Sequence, residues 1–219
     1  YPKAYNNLGK ILTEFGKFDQ AIYYFEKALY YSPGYIEALN SLGIIYYKKG
    51  DFQTALKVYK NVLSINPENF EAHNNLGILY QRTGKLKESI KSFESALNLN
   101  PKGEYTLNNL GFALLESDDI NQSICMFKKA LEIRSIFPEA YNNLGNALKE
   151  KGELDSAISY YKKGIQLNPS FAEAHWNLSL VQLLSGDYDA GWDSYQWRTK
   201  RKDPKLPHCK PQITEWDGG

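Results

Sequence analysis

The sequence has little cysteine, methionine or histidine, shows no excess of either charge, and contains no long apolar run. Its two cysteines, Cys125 and Cys209, stand far apart and lack the close spacing of a zinc site or a disulfide framework, so a reducing compartment, the cytoplasm, is the expected setting. Of the three histidines, His73, His175 and His208, only the last has a cysteine beside it, and no further ligand is near, so no metal is expected. With 26 Lys and Arg against 25 Asp and Glu the net charge is +1. A phosphate-binding surface shows as a basic excess, and a bilayer span needs about 20 apolar residues, so neither a nucleic-acid nor a membrane partner is expected. No phosphate loop, nucleophile elbow or paired metal-binding histidines occur, so the chain is expected to hold no cofactor and no catalytic residue. It starts at Tyr1 without a methionine, which places the natural N-terminus upstream in expectation.

What the sequence does have is a period. Leu8-Gly9, Leu42-Gly43, Leu76-Gly77, Leu110-Gly111 and Leu144-Gly145 recur every 34 residues, and Leu178-Ser179 continues the series. The implied units are 2–35, 36–69, 70–103, 104–137, 138–171 and 172–202, followed by a proline-containing tail at 203–219. Position 24 of every unit is aromatic (Phe25, Tyr59, Phe93, Phe127, Tyr161, Tyr195), and position 20 is small (Ala21, Ala55, Ser89, Ser123, Ala157, Gly191). Glycine at position 15 and proline at position 32 act as breakers in most units, so each unit reads as two helices of about 14 residues joined by a tight turn. Positions 4, 7, 8 and 11 fall on one stripe of the first helix. One helix pair cannot bury that stripe alone, so the pairs must stack.

Constant 34-residue units with Leu-Gly, small, aromatic and proline at these positions resemble the tetratricopeptide (TPR) family over residues 2–202. The similar pentatricopeptide RNA readers have a 35-residue period and lack this Leu-Gly and proline pattern. The resemblance implies an all-α fold, a right-handed α-α superhelix of six helix-turn-helix repeats, and a scaffold that holds another protein or an extended peptide along its concave groove. It also implies that positions 2, 6, 9 and 13 of the first helices face that groove; their 4-3-4 spacing puts them on one helix face. Position 6 is then Asn7, Ser41, Asn75, Asn109, Asn143 and Asn177, and position 5 is Asn6, Asn40, Asn74, Asn108, Asn142 and Trp176.

Asparagine costs a helix interior roughly half a kcal/mol against alanine, so ten of them in twelve sites call for a reason. A carboxamide carries a donor and an acceptor that match a peptide unit, so a spaced ladder of them can grip a backbone whatever its side chains. The other reading is that they bond neighbouring helices or simply face solvent. Position 5 lies about 100° further round the helix than position 6 and suits the second reading better. Position 9 supplies Ile44, Ile78, Phe112, Leu180 and Asn146, the first four able to take ligand side chains or to pack as wall residues. Position 2 is Glu37, Glu71, Glu139 and Glu173 in four units, and position 13 carries Lys48 and Arg82. The lysine that TPR domains use at position 5 to hold chaperone C-terminal carboxylates is absent.

The asparagine ladder is similar to the TPR arm of O-GlcNAc transferase, residues 141–168 above all. Further on, Gly191, Trp192, Tyr195, Trp197, Arg198, Trp216 and Asp217 resemble the junction at which bacterial TPR proteins enter a glycosyltransferase domain. That resemblance implies a substrate-recognition arm of a larger glycosyltransferase, with a downstream domain packing on Trp192 and Trp197. The tail at 203–219 is expected to fold back over the aromatics of the sixth unit. The basic residues Arg198, Lys200, Arg201, Lys202, Lys205 and Lys210 are expected to be a solvated linker, His73 and His175 packing residues, and Cys125 a small buried hydrophobe.

Overall fold

The computed structural model describes residues 1–201, and all its regular elements are helical. Unit 1, residues 1–135, holds α1 Pro2–Glu14, α2 Phe18–Tyr31, α3 Ile36–Lys48, α4 Phe52–Ile65, α5 Phe70–Arg82, α6 Leu86–Leu99, α7 Glu104–Glu116 and α8 Ile120–Ile133. Unit 2, from residue 136, holds α9 Pro138–Glu150, α10 Leu154–Leu167, α11 Ala172–Leu184, α12 Tyr188–Tyr195 and a short 3₁₀ helix, Gln196–Lys200. The tail at 203–219, with Lys202, His208, Cys209, Trp216 and Asp217, lies outside the described residues.

The helix ends follow local chemistry. Pro2 and Pro138 open α1 and α9, where a missing N–H costs nothing. Asp51, Asn69, Asp119 and Asp187 accept from backbone N–H groups in the first turns of α4, α5, α8 and α12 at 2.8–3.3 Å. At position 15 the backbone is left-handed, with φ of +75° at Gly84 and +85° at Gly152; unit four places Asp118 there at φ +67°. A side chain in that region is strained, so Asp118→Gly is expected to raise stability by about 1 kcal/mol, read as a higher urea midpoint at unchanged slope.

The core is a repeated interlock of positions 8 and 24. A Cβ built on Gly77 would lie 2.5 Å from the Phe93 ring, and one on Gly111 2.7 Å from the Phe127 ring. Phe25, Phe93, Phe127 and Tyr161 are wholly buried. The small residue at position 20 lets the helices close, and where it is serine its hydroxyl has a partner: Ser89 donates to the Gly77 carbonyl at 2.8 Å. Phe93 also touches the next pair, clustering with Leu110, Ala113 and Leu114.

Unit six departs from the pattern. Ser179 fills the position 8 site and donates to the Trp176 carbonyl at 2.7 Å, so the Tyr195 ring is only half buried. The second helix stops after eight residues, and the chain tightens into the 3₁₀ turn, which packs on α11. In that turn Trp197 stacks on His175 with centroids 4.0 Å apart. Three of the basic residues are engaged rather than merely solvated. Arg198 lies over Tyr195, Lys200 over Trp197, and Arg201 pairs with Glu173.

One further correction and one addition concern single side chains. Cys125 is exposed, because position 22 faces outward; the other units place Tyr23, Lys57, Lys91, Ser159 and Asp193 there. The histidines at position 4 pack half buried, but each ring nitrogen Nε2 also meets a proline carbonyl at 3.0 Å, Pro67 for His73 and Pro169 for His175.

Candidate peptide groove

In unit 1 the first helices border a concavity of about 560 Å³. Ser41, Ile44 and Asn75 line it together with Asn40, Asn74, Glu37, Glu71, Tyr105 and Lys10. Three of the ten residues singled out from the sequence thus share one space. The cavity lies towards the N-terminal ends of α3, α5 and α7, and Lys48 and Arg82 at the other ends of α3 and α5 do not line it.

The asparagines divide by position. Those at position 5 tie one pair to the next: Asn40 Nδ2 donates to Asn69 Oδ1 at 3.2 Å, and Asn74 Oδ1 accepts from the Thr106 hydroxyl at 3.0 Å. Asn6 and Asn142 are buried outright, and Asn142 Oδ1 accepts from Asn177 Nδ2 at 2.9 Å. The helix-bonding reading therefore holds for Asn40, Asn74 and Asn142, while Asn6 is buried without a bond of that kind among the described residues. The Asn40 and Asn6 carboxamide oxygens are themselves buried without a donor among the described residues.

At position 6 the picture is mixed. Asn7 is exposed, and Asn75 and Asn109 are half buried with no hydrogen bond to either carboxamide among the described residues. The Ser41 hydroxyl turns back onto the Glu37 carbonyl of its own helix at 2.8 Å. In unit 2, Asn143 is half buried and Asn177 is tied to Asn142. Asn146 accepts from the Tyr161 hydroxyl at 2.7 Å, the polar tip of a ring whose burial pushes its pKa up, so this residue satisfies the core. The apolar residues at position 9 also separate: Ile44 and Phe112 stand 37% and 38% exposed, whereas Ile78 packs as a wall residue against the Phe93 cluster.

Sequence reasoning passed over Asn69 and Thr106, the partners of the position 5 carboxamides. Thr106 carried a signal: position 3 is alanine in the other five units. Among the described residues no group of three or more His, Cys, Asp or Glu could hold a metal, and no helix is long and apolar enough to cross a membrane.

Paired helices of constant length, glycine–ring interlocks and a bordered concavity define a helical-repeat scaffold. Models described as tetratricopeptide repeat match residues 2–35 and 138–171 (one model), 68–135 and 24–57, and one described as TPR repeat matches 45–84. This chain is therefore built of tetratricopeptide repeats. No curated protein matches. Among solved structures, that of PilW, titled a widely conserved type IV pilus biogenesis factor, is 21% identical with a TM-score of 0.84, covering 93% of this chain and 96% of that one. PilF of Pseudomonas aeruginosa is 21% identical with a TM-score of 0.81, covering 91% and 90%. A structure of MamA is 28% identical with a TM-score of 0.64, covering 73% and 93%. The first two show the fold alone. The four matching models describe repeats only, so the resemblances to O-GlcNAc transferase and to a glycosyltransferase junction rest on the sequence motifs.

Proposed function

We propose that the chain is a peptide-binding scaffold and that an extended polypeptide lies in the unit 1 concavity, held through its backbone by Asn75 and Asn109 and through its side chains by Ile44 and Phe112. The observation that carries this reading is the state of the two carboxamides. Both are half buried at position 6, Asn75 on the concavity lining and Asn109 one repeat further on, and neither is used by the fold among the described residues. A primary amide so placed offers one donor and one acceptor at the spacing of a helix repeat, the pattern that an extended backbone presents in return. Ser41 stands in the same row with a hydroxyl, and Asn7 extends the row at the N-terminal edge. In unit 2, Asn143 is the corresponding contact, with Asn177 and Asn146 reduced to positioning by their own hydrogen bonds.

Side-chain amide resonances give the test. A peptide selected on the chain from a random display library is expected to shift the Asn75 and Asn109 NH₂ signals and the Ile44 methyl signals. Shifts confined to the second helices, α4 and α6, would place the peptide on the other face and overturn the reading.

A further inference from the structure

The last described residue shows how one repeat receives a basic side chain. Arg201 donates from Nε and Nη2 to the two carboxylate oxygens of Glu173 at 2.7 and 2.9 Å, a bidentate pair, while its guanidinium lies 5.2 Å from the Trp176 ring. Glu173 is position 2 of its repeat and Trp176 position 5, the two positions at the N-terminal end of a first helix.

The same position 2 is glutamate in the second and third repeats. Glu37 and Glu71 both line the unit 1 concavity, both are exposed, and neither carboxylate has an ion pair or hydrogen bond among the described residues. A third carboxylate on the lining, Glu104, lies 3.9 Å from Arg134, and among the described residues Lys10 is the one basic residue on the lining. From these features, and resting on the peptide-groove reading above, we infer that the unit 1 groove selects extended peptides carrying spaced arginines, Glu37 and Glu71 each receiving one guanidinium as Glu173 receives Arg201.

The spacing follows from packing. Neighbouring helices such as α3 and α5 lie about 10 Å apart when they touch, and extended chain advances about 3.4 Å per residue, so the two arginines stand roughly three residues apart. Arginine is favoured over lysine because the pairing seen at Glu173 uses two parallel N–H donors, which an ammonium cannot present in that geometry. The chain as a whole is nearly neutral at +1, so a preference for basic peptides has to come from a local field and not from a general attraction.

Fluorescence anisotropy at low salt, on the whole chain, tests this with labelled Gly/Ser/Ala peptides of roughly twelve residues, long enough to cross the groove. One carries two arginines roughly three residues apart, one has glutamines there and one has glutamates. The arginine peptide is expected to bind about tenfold more tightly than the glutamine peptide, roughly threefold per exposed pair, and Glu37→Gln/Glu71→Gln is expected to erase that margin while leaving the glutamine peptide unaffected. Equal binding of the arginine and glutamine peptides, both weakened by Asn75→Ala, would overturn the charge preference and leave the groove reading standing. A margin that survives the double glutamine variant, or tighter binding of the glutamate peptide, overturns the assignment to Glu37 and Glu71. Binding of no peptide at all overturns both.

Discussion

Replacing Phe93 with alanine is expected to lower the stability of unit 1 by about 3–5 kcal/mol. The ring is wholly buried and is clasped from two sides. On its own pair it rests on Gly77, where even a Cβ would stand 2.5 Å away; on the next it meets Leu110, Ala113 and Leu114. Deleting it leaves a void between two helices already in contact through glycine, and that backbone has no side chain to swing into the gap. The Ser89 hydroxyl, buried and bonded to the Gly77 carbonyl, pins the same contact and further limits collapse. A urea midpoint shift worth less than about 1 kcal/mol would show that α5 and α6 close over the space. Phe93→Leu is expected to cost less than half as much, since most of the volume is retained.

The second large effect is on binding. Asn75→Ala with Asn109→Ala is expected to weaken a library-selected peptide by about 10- to 100-fold, because each substitution removes up to two hydrogen bonds worth about 0.5–1.5 kcal/mol apiece. The fold gives the alanines little to disturb, since neither carboxamide bonds to the protein among the described residues and alanine is the better helix former. Stability should therefore hold or rise slightly while affinity falls, and that opposition separates a ligand contact from a structural one. Ser89→Ala is the control: it strips the donor from the Gly77 carbonyl away from the lining, so it is expected to lower stability by about 1 kcal/mol and to affect binding only through it. Unchanged affinity in the double variant would remove the ladder from the binding account.

How much of this could be read from the residues alone differs by position. The interlock was legible because both its members recur without exception through five units: a glycine opposite a ring admits one arrangement, and the exception, Ser179, sits in the unit whose ring fails to insert. The division of labour between positions 5 and 6 was not legible. Both rows are asparagine, and composition cannot tell a carboxamide aimed at the next helix from one turned towards the groove. The partners that decide it, Asn69 at the end of the same repeat and Thr106 in the following one, lie about 30 residues away. The bond of Asn146 was hidden for the same reason, since its partner is the hydroxyl of a ring read only as core. Cys125 was misread from residue type, although its column of otherwise mainly polar residues already marked an outward face. Arg201 shows the reverse error, because a charge run looks like solvated linker until one member meets a carboxylate and an indole together.

The glycine and the ring that fill the centre of each pair belong to the same hairpin, as Gly77 and Phe93 do. Each hairpin therefore closes on contacts that are short in sequence, with little loop entropy to overcome, and such contacts form early. On the ribosome the α1–α2 hairpin can shut once Phe25 has emerged, before the residues of the third repeat exist, and within unit 1 each later hairpin is made against a finished neighbour. The order of synthesis then becomes the order of assembly.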